Sequence, residues 1–448
     1  MKTRLFRQLS IDGRYLLFLF FISLIFRFPY ISEPPVTVFD EVIYKNYVVA
    51  LNEGRPFIDV HPPLARILFA EVGKSAEQLD TTISKDEPGR PFGNFPYIPL
   101  RTFVSIFGIA LPLIIYCIAR ALGTTAPFAL FVGLLLSTDN SLIIYSRLIL
   151  PDTLLLFFEF LAFLLALLSM RKESRRDSAF LVFLSSFSIG CALSIKWTAL
   201  GMFSLIALLF ISSKRKFSVI PSILIAFAVY ITIFTISLVA VTPMGGVAEN
   251  LLSERFSAWS PNIEFPYVGE VLPVLAFLPE LHKAMLAINF NTVIAENALI
   301  APSPLLWPIA GARMALWRSG DGSHVIILSG NTYAWSLSFF LFIFDVLWIA
   351  REIIRSRKIP VSKNEALILV GYVANYLPFF FIHRQMYLYH YFTALVFLFL
   401  LIPFVLPRIM CIIKQKSGAQ LSYKAGVIVL AIFIIVNFLL VAKTTYGL

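Results

Sequence analysis

Windows of about 20 consecutive apolar residues recur along the whole chain, and each is long enough to cross the hydrocarbon core of a bilayer. About eleven are read, at roughly 15–31, 100–119, 126–143, 150–169, 178–195, 198–212, 217–241, 331–350, 364–382, 387–407 and 424–442. In lipid every backbone N–H and C=O must be satisfied inside the segment, so such runs can only be helices. Composition agrees: of the 448 residues 58% are hydrophobic and 15% aromatic, and the mean hydropathy is +0.83, above soluble domains. The expected fold class is an all-α polytopic membrane protein, a single integral membrane domain over 1–448.

The net charge of +11 does not mark a nucleic-acid binder, because the basic residues are spread over short connections. Lys2, Arg4, Arg7 and Arg14, Arg171 to Arg176, Lys214 to Lys216, Arg351 to Lys363 and Arg408 to Lys424 fall on alternate loops. The positive-inside rule makes those loops cytoplasmic, the N-terminus included. Two long Pro- and aromatic-rich segments, 32–99 and 243–330, then lie outside as ordered caps. Met1-Lys2-Thr3-Arg4 leads into the first span with no small-residue cleavage site, which reads as an uncleaved helix. Cys117, Cys191 and Cys411 have no CxxC spacing and read as structural thiols.

This orientation brings Asp40, Glu41, His61, Arg101, Asp139, Arg147, Asp152, Lys196, Arg384 and His390 to the external ends of their elements. Ionisable groups near a bilayer are costly and tend to face a cavity, so the set points to one polar site at the outer surface. Snorkelling to the interface would account for any one of the cations alone. Glu159 and Asp345 fall nearer mid-span and receive no role.

The densest chemistry lies in the first external loop, at Phe39-Asp40-Glu41 and Asp59-Val60-His61-Pro62-Pro63. Ile43, Tyr47, Ala50 and Leu51 share one face after Asp40, which predicts a short amphipathic helix on the membrane surface, ended by Gly54. Asp40 stands at its N-cap position and Glu41 in its first turn, so both are open to a purely structural reading. The prolines hold His61 in a rigid turn, where it can orient a carboxylate or contact a phosphate, or be structural.

These stretches resemble the protein O-mannosyltransferases, and the likeness continues in order along the chain. Arg27 closes the first span and Arg101-Thr102-Phe103 opens the second. Asp139-Asn140-Ser141-Leu142-Ile143, Ser146-Arg147-Leu148-Ile149-Leu150-Pro151-Asp152, Leu193-Ser194-Ile195-Lys196-Trp197-Thr198 and Tyr387-Leu388-Tyr389-His390-Tyr391-Phe392 follow. The resemblance implies a GT-C fold with two external loops carrying short helices. It implies an inverting glycosyltransferase that moves mannose from a polyprenyl (dolichyl) phosphate to Ser or Thr hydroxyls of a secreted or membrane acceptor protein, outside the cytoplasm at the plasma membrane.

Such a reaction needs a carboxylate to take the hydroxyl proton, for which Asp40 is the choice, with Glu41 orienting the acceptor or sharing that work. It needs cations for the leaving phosphate, for which Arg101, Lys196, Arg147 and Arg384 are candidates, with His61, Tyr389 and His390 supporting. Arg147 is equally open to a structural pair with Asp139 or Asp152. No His-x-x-His or Asp-x-Asp spacing adjoins Asp40-Glu41, and the resemblance implies no metal. No cofactor is expected; the lipid-linked sugar is a substrate.

Two departures from the family stand out. The segment 243–330 is too short for the inserted soluble domain of eukaryotic members, as in prokaryotic ones. The stretch Ala298-Leu299-Ile300-Ala301-Pro302-Ser303-Pro304-Leu305-Leu306-Trp307-Pro308 lacks the usual His-Pro-Tyr. A related GT-C transferase acting on a lipid or cell-wall glycan is therefore the alternative. A secondary transporter is a weaker one, since the chain shows no repeat and its charges gather at one surface.

Overall fold

The computed structural model describes residues 10–53, 59–74, 88–213, 216–240, 268–291, 303–311, 313–382, 386–417 and 423–448. The helices, in order, are α1 (Ile11–Arg27), α2 (Glu41–Asn52), α3 (Leu64–Gly73), α4 (Tyr97–Ala121), α5 (Ala126–Thr138), α6 (Asn140–Arg147), α7 (Asp152–Arg171) and α8 (Arg175–Leu193). They continue as α9 (Leu200–Ile211), α10 (Val219–Ala240), α11 (Val268–Asn291), α12 (Thr332–Ser356), α13 (Lys363–Tyr376), α14 (Phe392–Ser417) and α15 (Tyr423–Tyr446). A hairpin of β1 (Met314–Arg318) and β2 (Val325–Leu328) pairs antiparallel, Met314 opposite Leu328, with a bulge between Ala315 and Trp317. Gly54 and Arg384 lie outside the described residues.

Among the described residues five helices are long and apolar enough to cross a bilayer: α4, α7, α8, the run Lys216–Leu238 and the run Leu388–Lys414. The run expected at 126–143 is instead two helices, α5 and α6, bent by 58°, and becomes a sixth only if that pair is one span. Asp139 makes the break. Its backbone is extended, and its side chain caps α6 by accepting from Leu142 N. Large apolar side chains such as Phe217, Phe227, Leu347 and Leu440 cover the outside of the bundle, where a bilayer would meet them.

The interior is organised around α4, which packs on α1, α5, α6 and α7. Gly108 of α4 takes α6 at close range; a Cβ there would sit 2.3 Å from the Cβ of Ser146. Ser105 Oγ, one turn earlier, donates to Ser146 O at 2.8 Å. In the second half α14 packs on α12 and α13, and α13 on α9. The two mid-span acids have partners: Glu159 accepts from Thr393 Oγ1 at 2.7 Å, and Asp345 and Glu365 share Arg408. These links tie α7 to α14 and α12 to α13 through α14. The described cysteines are all free thiols.

Helix α2 departs from the amphipathic surface helix expected there. Glu41, Val42, Tyr44, Lys45, Asn46, Tyr47, Val48, Val49 and Ala50 are all buried, because α3 packs along it and Phe69 of α3 meets Tyr44 edge-on. The loop between the first two long helices is thus a packed layer that continues the core outward.

Asp139 gathers four interior donors at the bend: Ser141 Oγ, Leu142 N at 3.1 Å, Asn331 N at 3.2 Å and Trp335 Nε1 at 2.6 Å. An Asp139→Ala variant orphans the two backbone N–H groups and the indole N–H in a site with no exposure, and each orphan costs roughly 1–3 kcal/mol. The expected result is a large fall in the thermal unfolding midpoint of the detergent-solubilised protein, larger than for Asp139→Asn.

Candidate active site

The stretch Val38–Glu41 is a tight turn closed from both sides. Glu41 N donates to Val38 O at 3.0 Å, and Val38 N donates to Glu41 Oε2 at 3.0 Å. Phe39, at the first central position, has φ of +51°, a left-handed conformation that costs a non-glycine residue roughly 1–2 kcal/mol. Its ring is held edge-on by Tyr387 and at 6.3 Å by Tyr389. Asp40 follows with helical angles, and its side chain makes no cap hydrogen bond. The side-chain N-cap bond expected for it is absent; the Glu41 carboxylate instead closes the turn ahead of the helix.

The two adjacent acids therefore face different surroundings. Glu41 has no exposure. Its carboxylate takes Arg101 Nε at 2.9 Å and Nη2 at 2.7 Å, a bidentate pair, and Ile149 N at 2.8 Å. Arg101 also has no exposure and donates further to Pro34 O at 2.9 Å and Val36 O at 3.3 Å. Its guanidinium is enclosed by Phe92 and Tyr97. A phosphate cannot reach it, and an acceptor hydroxyl cannot reach Glu41. Both assignments are corrected: the pair holds the loop to α4.

Arg147 is corrected on the same ground, and neither suggested acidic partner holds it. It donates to Arg27 O at 3.2 Å, Pro29 O at 2.9 Å and Tyr30 O, with the Tyr446 ring 4.5 Å from its guanidinium. Asp139 belongs to the α5–α6 bend described above.

The remaining charges do meet. Lys196 Nζ donates to Asp152 Oδ1 at 2.7 Å and lies 4.9 Å from the Tyr389 ring centre. An ammonium has three donors, and this is the single side-chain hydrogen bond Lys196 makes among the described residues. Asp40 lies within electrostatic reach of Lys196, Asp152 and Asp59. Burial pushes its carboxyl up to about 7; Lys196 opposes that shift, and Asp152 and Asp59 add to it. Asp59 itself sits 3.8 Å from Arg66.

Lys196 opens on a cavity of about 340 Å³ lined by His61, Trp197, Thr198, Asn289, Asn375 and His390 among others. A smaller one of about 20 Å³ adjoins it, lined by Asp152, Lys196, Thr198, Asn375, Tyr389, His390 and Thr393. Of the sequence candidates, Asp40, Lys196, His61, Tyr389 and His390 are brought to this region. His390 stacks on Tyr389 at 4.4 Å and its Nδ1 lies 3.2 Å from Tyr387 N. Asp152, placed among the charges expected at the outer surface but given no role in the transfer, joins them, as does Thr198, which ends the Leu193–Thr198 stretch. Asn289 and Asn375 were missed, and they carry no local signal. Among the described residues no group of three or more His, Cys, Asp or Glu is arranged to hold a metal ion.

Comparison with known proteins bears on what this arrangement is. The family model described as dolichyl-phosphate-mannose-protein mannosyltransferase matches residues 17–245, and that of the C-terminal four TMM region of protein-O-mannosyltransferase matches 275–448. The chain belongs to the protein O-mannosyltransferase family. Protein O-mannosyl-transferase 1 of Danio rerio is 28% identical over 190 residues, 40% of this chain and 26% of that protein. Dolichyl-phosphate-mannose--protein mannosyltransferase 1 of Saccharomyces cerevisiae is 27% identical over 259 residues, 53% of this chain and 31% of that protein. The chain thus spans about a third or less of these relatives. In fold, a chain of the S. cerevisiae protein O-mannosyltransferase Pmt1-Pmt2 complex bound to the sugar donor matches with a TM-score of 0.80 at 18% identity, over 98% of this chain and 91% of that one. The protein is a polytopic helical membrane protein of this architecture.

Removing one member of a buried pair costs about 3–5 kcal/mol. Arg101→Met should therefore depress the unfolding midpoint strongly, and adding Glu41→Gln should recover part of the loss. A folded Arg101→Met with wild-type stability but weakened donor use would return Arg101 to the phosphate.

Proposed function

We propose that this family member is an inverting glycosyltransferase that moves mannose from a polyprenyl (dolichyl) phosphate to Ser or Thr hydroxyls of secreted or membrane proteins. The observation that carries the reading is Asp40: a carboxylate unused by its own helix, placed on a strained turn, in the field of a lysine that lines a cavity. Asp40 takes the proton from the acceptor hydroxyl as its oxygen attacks the anomeric carbon. The bond from that carbon to the phosphate oxygen breaks, the polyprenyl phosphate leaves with the electron pair, and the configuration inverts. Lys196 meets the charge that develops on the phosphate while Asp152 holds the ammonium in place. His61 and His390 border the same cavity as further donors. Its apolar wall, including Leu200, Leu286, Pro378 and Ile382, suits the start of a polyprenyl chain.

The topology we propose has about eleven spans in the plasma membrane, with the N-terminus cytoplasmic and the segments 32–99 and 243–330 external. On that count the site stands at the outer surface, and neither a metal nor a cofactor is required. The alternative acceptor, a lipid or cell-wall glycan, is separated by offering membranes labelled polyprenyl phosphate mannose with a Ser/Thr-rich peptide. Label confined to the lipid fraction would favour the alternative.

Asp40→Asn should lower transfer by at least ~10³-fold while the protein still folds; near-normal transfer would reject Asp40 as the base. The pH dependence follows from the raised carboxyl. The base works deprotonated, so transfer should fall as the pH drops through about 7. For stability the sign is opposite. The folded state holds this proton more tightly than the unfolded chain, so Asp40 costs stability as pH rises from the ordinary carboxylate range to 7. At pH above 7, Asp40→Asn should unfold at or above the wild-type midpoint.

A further inference from the structure

Two buried polar atoms beside Lys196 have no partner among the described residues: Asn375 Oδ1 and Thr198 Oγ1. Both residues line the large cavity and the small one, so they stand where the two adjoin. Asn375 is 5% exposed. Its Nδ2 is committed to Gly371 O of its own helix at 2.9 Å, which fixes which end of the amide is left over. That end packs against Gly201 of α9, where a Cβ would lie 2.4 Å from Oδ1. Glycine is therefore needed for the amide to sit at the cavity wall. A buried acceptor left unpaired costs roughly 1–3 kcal/mol, and leucine would fill the same space without that cost. Such a group persists where something else completes it.

What completes the amide oxygen must bring a hydrogen, while the Thr198 hydroxyl beside it can donate or accept. An amide oxygen repels an anionic phosphate oxygen and accepts from a hydroxyl. In the reaction proposed above the acceptor brings one reacting hydroxyl, which goes to Asp40, while the donor brings a sugar ring with several. We infer that Asn375 and Thr198 form a subsite that reads hydroxyl groups of the donor's sugar, with Gly201 making the room, and so set which sugar is transferred. This rests on the proposed transfer from a polyprenyl phosphate sugar. Lys196 holds the phosphate end, and the subsite lies on the α9 and α13 side of it.

The test uses the full-length protein in detergent, a Ser/Thr-rich peptide, and a short-chain polyprenyl phosphate carrying mannose or each monodeoxy analogue of mannose. In the wild type at least one analogue should lose roughly 10- to 100-fold in kcat/KM. Asn375→Ala should shrink the penalty at one hydroxyl to within about threefold, chiefly by lowering use of the full mannose donor. Gly201→Ala, which displaces the amide without removing it, should change the same position. Thr198→Val should act at a hydroxyl of its own. If the variants lower transfer from every donor by one common factor, the residues are structural and the inference is overturned. If Asn375→Ala does not fold, Gly201→Ala and Thr198→Val decide by the same pattern. A wild type that transfers no mannose overturns the proposed function instead; one that transfers it with no deoxy penalty overturns the subsite alone.

Discussion

The structure depends on one buried carboxylate. Glu41 receives two N–H groups of Arg101, the backbone N–H of Val38 and the backbone N–H of Ile149. These donors come from three separate places: the opening of α4, the turn before α2 and the link between α6 and α7. Charge-assisted bonds to an ion with no access to water are strong, and each missing member would leave the rest expensive. The loop is therefore fixed to the bundle at a point next to the proposed base. That explains how Phe39 can be kept in a left-handed conformation: its neighbours on both sides are pinned. The strain is local and its consequence is directional, since it sets where Asp40 points.

Two adjacent residues at a helix start are about 100° apart around the axis. Asp40 and Glu41 therefore point in different directions and meet different surroundings. The sequence shows a pair of acids and suggests shared work; helical geometry divides it. One becomes the anchor of the loop and the other is left available for chemistry. The same division separates the cations. Arg101 and Arg147 carry planar forks that satisfy several carbonyls at once, as a packed loop requires. Lys196 is a point charge with one acidic partner and donors in reserve.

Much of the fold was legible because apolar length is a strong signal: the long runs at 100–119, 150–169 and 178–195 correspond to α4, α7 and α8. The surface helix after Asp40 was misjudged because burial there comes from α3, and an amphipathic pattern says nothing about what covers the other face. At the site, gathering ionisable groups at one edge did bring Asp40, Lys196, His61 and His390 to one region. It could not separate groups that close a structure from groups that face a ligand, because both kinds are polar residues at span ends. Asn375 was invisible for a different reason: a single amide near a helix end has no spacing to betray it.

Three of the spans that border the cavity depart from regular α-helix where they meet it. The run expected from 198 opens with a 3-10 turn, Trp197–Ala199; that expected to reach 382 leaves α-helix at Tyr376 for the 3-10 segment Leu377–Phe381; and that expected from 387 begins with Leu388–Tyr391 before α14. Irregular backbone at membrane depth is tolerated where protein buries it or where it lines a cavity. Thr198, Phe379 and His390, one from each irregular segment, all line the large cavity. The converse also holds: an uninterrupted helix presents side chains from one direction, whereas three interrupted ones bring a hydroxyl, an aromatic ring and an imidazole to the same space. Interrupted helicity is thus how three of the spans reach the large cavity, while the unbroken α7 reaches the small one with its first turn, through Asp152, Leu155 and Leu156.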